Sequence, residues 1–197
     1  LETLMQGATP ATIADVLAQF ALDQIGCELT AHDIWRKLES IPCQRRDWGN
    51  DSNVLVAVDQ VNNRYLSNLQ SETISEKMIP RDEATTAVEK MAAHSHIRSI
   101  LLAGEAGGGK SCVLAQATIQ LQQLGWPVIA FRLDRLSPTH LPNQVGWQLG
   151  LPGSPANVLA TIAQGRDCAL IIDQLDAVSL VSGRHPEFFD CVNEIIR

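Results

Sequence analysis

The octapeptide Gly104-Glu105-Ala106-Gly107-Gly108-Gly109-Lys110-Ser111 has the spacing Gly, four residues, Gly, Lys, Ser, which suits a loop that grips phosphate. Glycines let the backbone take φ > 0 and approach a phosphate with no Cβ in the way. Successive N–H groups then face inward as an anion-binding nest, reinforced by the positive end of the helix that follows. Lys110 would reach the β- and γ-phosphates, and the Ser111 hydroxyl would hold Mg²⁺. The expected nucleotide-binding set is Gly104, Glu105, Ala106, Gly107, Gly108, Gly109, Lys110, Ser111 and Cys112, joined from outside the loop by Arg81 near the base or ribose. The bare pattern arises by chance in roughly one chain of this size in a hundred, so the flanking elements carry part of the case.

The second half of such a site is an apolar strand ending in Asp, and Ala169-Leu170-Ile171-Ile172-Asp173 fits. A parallel strand covered on both faces is a continuous aliphatic run. A carboxylate at its carboxyl end lies where open α/β sheets bind ligands. Asp173 is expected to hold Mg²⁺, directly or through water, together with Ser111. Hydrolysis also needs a group that positions or activates water. Gln174 directly after Asp173 can position water but cannot take a proton effectively, so Asp176 is the candidate general base, with an N-cap or loop carboxylate as its plain alternative. The expected catalytic residues are Lys110, Asp173 and Asp176. Arg184 is placed either toward a nucleotide held by a neighbouring protomer or in a surface ion pair.

The elements that must position these residues follow from periodicity. Ile97–Ala103 predicts a buried strand leading into the loop, and Cys112–Leu121 a helix stopped by Gly125. Trp126–Asp134 predicts a second strand and Ala169–Asp173 a third. Short helices are expected around Val145–Leu149 and from Ser154 to Gly165, and a last one from Pro186. Strands alternating with helices predict a parallel α/β sheet of the P-loop NTPase kind with about three strands visible, over residues 80–197. A sheet of this class usually has about five strands, so the chain is expected to stop inside its own domain at Arg197. Residues 1–79 predict a helical N-terminal or linker region. Leu1–Thr9 is expected as a lead-in, with a helix from Pro10 stopped at Gly26 and a second helix capped by Thr30 and Asp33. A longer helix is expected over Asn53–Leu69, where Val54–Val58 alone would look like a strand. Arg45–Asn53 predicts a solvated loop, although Arg45 and Arg46 beside Trp48 could also stack on a base. His94 and His96 could ligate a metal, but with no Cys or carboxylate cluster beside them in sequence a plain loop is the expectation.

The 197 residues carry a net charge of −7 and are 45% hydrophobic and 19% charged, which fits a globular cytoplasmic protein. The acidic balance argues against a nucleic-acid-coating surface, so nucleic acid is not indicated as a partner. No apolar run has the length of a membrane span, and no membrane partner is expected. With no initiator Met and no signal peptide, the chain is expected to be a piece of something longer. Five cysteines with no C-x-x-C pair are expected as free thiols, and Cys112 is an oxidation liability beside the phosphate loop.

Together, Ile79-Pro80-Arg81-Asp82-Glu83, the loop from Leu102 to Ser111, and Leu170-Ile171-Ile172-Asp173-Gln174-Leu175-Asp176-Ala177-Val178-Ser179 with Ser182-Gly183-Arg184 resemble the STAND class of signal-transduction P-loop ATPases, particularly the NACHT-like ATPases of large bacterial proteins. The resemblance covers roughly the last 120 residues and rests most on the Asp-Gln-Leu-Asp form. It implies a cytoplasmic switch that rests with ADP or empty, exchanges to ATP with Mg²⁺, hydrolyses slowly and forms a homo-oligomer when a trigger ligand is sensed. In bacterial relatives the trigger is often phage infection, read out by an effector in antiviral defence. Other readings are an AAA+-type motor or loader, and a non-hydrolysing nucleotide-bound scaffold, suggested by Gln174. A small-molecule kinase fits least, since no acceptor pocket is legible. The lack of an Asn-Lys-x-Asp guanine-reading motif points to ATP.

Overall fold

Thr9 opens the first helix: its Oγ1 accepts a hydrogen bond from the Thr12 N–H at 3.2 Å, and Pro10 sits in the first turn, where its missing N–H costs nothing. The computed structural model describes residues 5–42, 44–45, 47–72, 79–93, 99–178 and 186–196. Two units divide between Asp47 and Trp48.

In the first unit, α1 (Pro10–Asp23) is followed by a turn through Gly26 at φ +88. Helix α2 (Ala31–Glu39) carries the expected capping box. The Thr30 N–H donates to Asp33 Oδ2 at 3.1 Å, and the Asp33 N–H to Thr30 Oγ1 at 3.3 Å. The opening residues are more than a lead-in. Strand β1 (Met5–Gln6) pairs antiparallel with β2 (Gln44–Arg45), and Met5 is buried with Ile13 and Leu38. Arg45 thus belongs to a ladder rather than to the expected loop, because Met5 offers an apolar anchor that fixes the pairing.

In the second unit Trp48 is buried, which removes it from any role as a base-stacking platform. Helix α3 (Ser52–Glu72) absorbs the apolar run Val54–Val58 into a helical stripe that continues through Val61, Tyr65 and Leu69. Then come α4 (Asp82–Ala93), α5 (Lys110–Gln123), β3 (Val128–Arg132), α6 (Pro142–Leu149), α7 (Pro155–Ala163), β4 (Ala169–Asp173) and α8 (Pro186–Ile196). Strands β3 and β4 pair in parallel, with Val128 opposite Ala169 and Arg132 opposite Asp173. Both α3 and α5 pack on β3, and α4 packs on α5. The core is built from Tyr65, Val88, Val113, Leu121, Val128 and Ile171.

The described part of this unit is therefore mixed α/β, with a two-stranded parallel sheet rather than the expected three strands. The missing one is the strand expected over Ile97–Ala103. Residues 97 and 98 lie outside the described residues, and 99–103 are irregular, with Ile100 42% and Leu101 76% exposed. Its aliphatic sequence has no ladder neighbour among the described residues, and a strand exists only through such pairing. The second strand is also shorter than Trp126–Asp134, since the chain turns into a 3₁₀ segment at Leu133–Arg135.

The outer edge of β3 is closed by a side chain. Asn62 Nδ2 donates to the Val128 carbonyl at 2.8 Å, and Asn62 Oδ1 accepts from the Ala130 N–H at 2.9 Å. The amide does what the peptide group of a third parallel strand would do. It satisfies two buried backbone groups and blocks that edge from further pairing.

Candidate phosphate-binding site

Within the loop, Gly107 and Gly109 take φ +77 and +83, the left-handed region that favours glycine. The Gly108 N–H donates to the Glu105 carbonyl at 3.2 Å, which closes a turn. Gly109 is the N-cap of α5 and supplies no side-chain cap. The first-turn N–H groups, those of Lys110, Ser111 and Cys112 among them, consequently face the loop without a capping side chain. Lys110 Nζ folds back onto the loop, donating to the carbonyls of Gly104 at 2.9 Å and Glu105 at 2.8 Å.

Arg81 comes to the same place. A Cβ built on Gly109 would stand 2.8 Å from Arg81 Nη2, so the guanidinium lies against the glycine loop itself. The segment is held there by Gln116 of α5. Gln116 Oε1 accepts from the Arg81 N–H at 2.8 Å, and Gln116 Nε2 donates to the Ile79 carbonyl at 2.7 Å. Arg81 Nε is buried with no hydrogen-bond partner, and among the described residues neither Arg81 nor Lys110 has a carboxylate partner. Two cations at the N-terminus of a helix have the wrong sign for the helix dipole, which favours anions there. An anion among them would offset that repulsion.

Asp173 ends β4 and is 4% exposed. Its Oδ1 accepts from the Gln174 N–H at 2.8 Å, and its Oδ2 from the Tyr65 hydroxyl at 3.5 Å. Gln174 takes φ 61, a left-handed conformation uncommon for a residue with a Cβ, and turns the chain sharply out of the strand. Burial raises the Tyr65 hydroxyl far above the usual phenol range, the Asp173 charge and hydrogen bond add to this, and Arg132 acts against it. Cys112 in the first turn of α5 acts electrostatically on the same hydroxyl, and α5 packs on β4. Arg132 is occupied by Asp134, with Nε to Oδ1 at 3.0 Å and Nη2 to Oδ2 at 2.9 Å.

The fold thus brings Arg81 and Lys110 to one loop, and Asp173 with Tyr65 to the neighbouring strand end. Asp176 is exposed on the 3₁₀ turn Leu175–Val178. Arg184, His94 and His96 lie outside the described residues. A magnesium–nucleotide fits the donor set: a nest of first-turn N–H groups, an orphaned guanidinium nitrogen, a hydroxyl at Ser111 and a carboxylate at Asp173. Mg²⁺ keeps several waters and needs only one or two protein ligands, so no larger carboxylate cluster is required. Half-buried Cys112 and Cys168 and buried Cys191 are free thiols, and burial pushes Cys191 up to about 11, which keeps it protonated and unreactive at neutral pH.

Three contributors escape sequence reasoning. Tyr65 and Asn62 sit on the buried stripe of α3, and their polar tips among aliphatic neighbours are the available signal. Gln116 gives none, being one of several glutamines on α5. Among the described residues no helix is long and apolar enough to cross a membrane. Comparison of the chain with family models, with curated proteins and with solved structures finds no match.

Proposed function

We propose that the chain is the nucleotide-binding part of a STAND-class, NACHT-like switch with a P-loop NTPase fold, which binds ATP or ADP with Mg²⁺ and hydrolyses ATP slowly. The observation that carries this reading is the convergence of Arg81 and Lys110, both without carboxylate partners among the described residues, on the uncapped N-terminus of α5. Elsewhere on a protein surface such a grouping would be destabilising, and a polyphosphate makes it favourable.

In this mechanism Lys110 exchanges the Gly104 and Glu105 carbonyls for phosphate oxygens, and the first-turn N–H groups of α5 hold the same phosphates. Arg81 donates to the phosphate end from outside the loop. Ser111 and Asp173 would hold Mg²⁺, which neutralises charge on the transferring phosphoryl group when bound. Asp176 takes the proton of the attacking water, with Gln174 beside it to orient that water. Switching from 1:99 to 99:1 needs about 5.5 kcal/mol of differential binding between two states. Contacts made only with the γ-phosphate are the natural source of that difference. Homo-oligomer formation on sensing a trigger ligand, a cytoplasmic location and a role in antiviral defence belong to the same proposal through the family resemblance.

A non-hydrolysing scaffold is the second reading, favoured by Gln174 standing where a carboxylate would serve better. Asp176→Asn separates the two when phosphate release and ATP binding are measured together. The switch reading predicts turnover reduced about 100-fold or more with binding retained, the size of effect lost with a general base. An unchanged, negligible rate in both proteins would favour the scaffold.

A further inference from the structure

We propose that Tyr65 is a positioning residue for the strand-end carboxylate: its hydroxyl, delivered by α3, orients Asp173 for Mg²⁺ and thereby ties α3 to the loading of the nucleotide site. This rests on the reading of Asp173 as a magnesium-site residue.

Tyr65 is buried, and its ring is packed in the core with Leu69, Val113 and Ile171. The hydroxyl at the tip of that ring reaches Asp173 Oδ2 at 3.5 Å. The other carboxylate oxygen is fixed by the Gln174 N–H at 2.8 Å. The amide holds one oxygen, the hydroxyl lies against the other, and each oxygen keeps a further lone pair for metal or metal-bound water. A buried tyrosine hydroxyl needs a partner, and Asp173 is the one it has among the described residues. Three residues before Tyr65, on the same face of α3, Asn62 is bonded to β3. Helix α3 is thus pinned to the sheet edge at Asn62 and touches the site at Tyr65. The charge of Arg132 on β3 and the thiol of Cys112 on α5, one residue past Ser111, are the other titratable groups that act on the hydroxyl. A change in how Asp173 is used must move the hydroxyl or strain α3 against its Asn62 anchor.

Tyr65 is the only tyrosine in the sequence, so it supplies its own probe. The full chain, labelled on tyrosine for ring NMR, is titrated with ADP, first with a chelator and then with Mg²⁺. The single ring resonance is expected to shift with magnesium–ADP and to stay in place with ADP alone. Tyr65→Phe keeps the ring in the core and removes only the oxygen. It is expected to reduce the gain in ADP affinity brought by Mg²⁺ by roughly three- to tenfold, leaving metal-free ADP affinity unchanged. A ring resonance unmoved by magnesium–ADP, or a Tyr65→Phe protein that keeps the full Mg²⁺ gain, overturns the role of Tyr65 while the nucleotide reading stands. A wild-type chain that binds no ADP under either condition overturns both.

Discussion

Lys110 and Arg81 are cations placed where a helix dipole repels them, and Arg81 also buries a guanidinium nitrogen with no acceptor among the described residues. In the proposed function that cost is offset by the phosphates the two cations bind. Replacing Arg81 by methionine keeps an unbranched side chain of similar reach and removes the charge. Arg81→Met is expected to raise the melting temperature of the nucleotide-free chain by a few degrees, about 1 kcal/mol, and to weaken ADP binding about tenfold. Thermal denaturation and calorimetric titration read the two effects. A lower melting temperature with unchanged affinity would make Arg81 structural. The candidate residues of the loop, and Asp173 at the end of its aliphatic run, stand out in the sequence because each pattern is local. The place of Arg81 against Gly109 is not legible there, since it depends on Gln116 of α5 gripping residues 79–81 across 35–37 positions of sequence.

At the level of elements, helices announce themselves through caps and spacing, and α1, α2, α3 and β4 follow the local pattern closely. Thr30 with Asp33 is a signal contained in four residues. Strands depend on a neighbour that the local sequence does not name. Ser99–Ala103 has the composition of a strand and no described partner, whereas the brief β1–β2 pair forms from segments that no alternation marks. The Asn62 plug joins positions 66 and 68 residues apart, so no window of sequence contains it. Its energetic importance can be measured. Asn62→Leu keeps the volume and leaves the Val128 carbonyl and the Ala130 N–H buried without partners, each a loss of about 1–3 kcal/mol. We expect an overall destabilisation of roughly 2–5 kcal/mol in urea denaturation. A loss below about 0.5 kcal/mol would mean that the edge of β3 is satisfied without Asn62.

Over the whole molecule, two units with separate cores share one chain, and the candidate chemistry lies entirely in the second. The parallel pairing of β3 with β4 fits the α/β alternation predicted from residue 97 onward, and it sets Asp173 opposite Arg132 at the carboxyl end of the sheet, where ligands of such sheets bind. The central claim is that this end of the second unit holds a nucleotide through the phosphate loop. The most direct measurement is a calorimetric titration of the full chain with ADP and Mg²⁺, beside Lys110→Ala. The account predicts saturable binding of one ADP per chain and a loss of at least about 30-fold in affinity on removing the Lys110 charge. Equal heats for both proteins, or no heat with either, would contradict it.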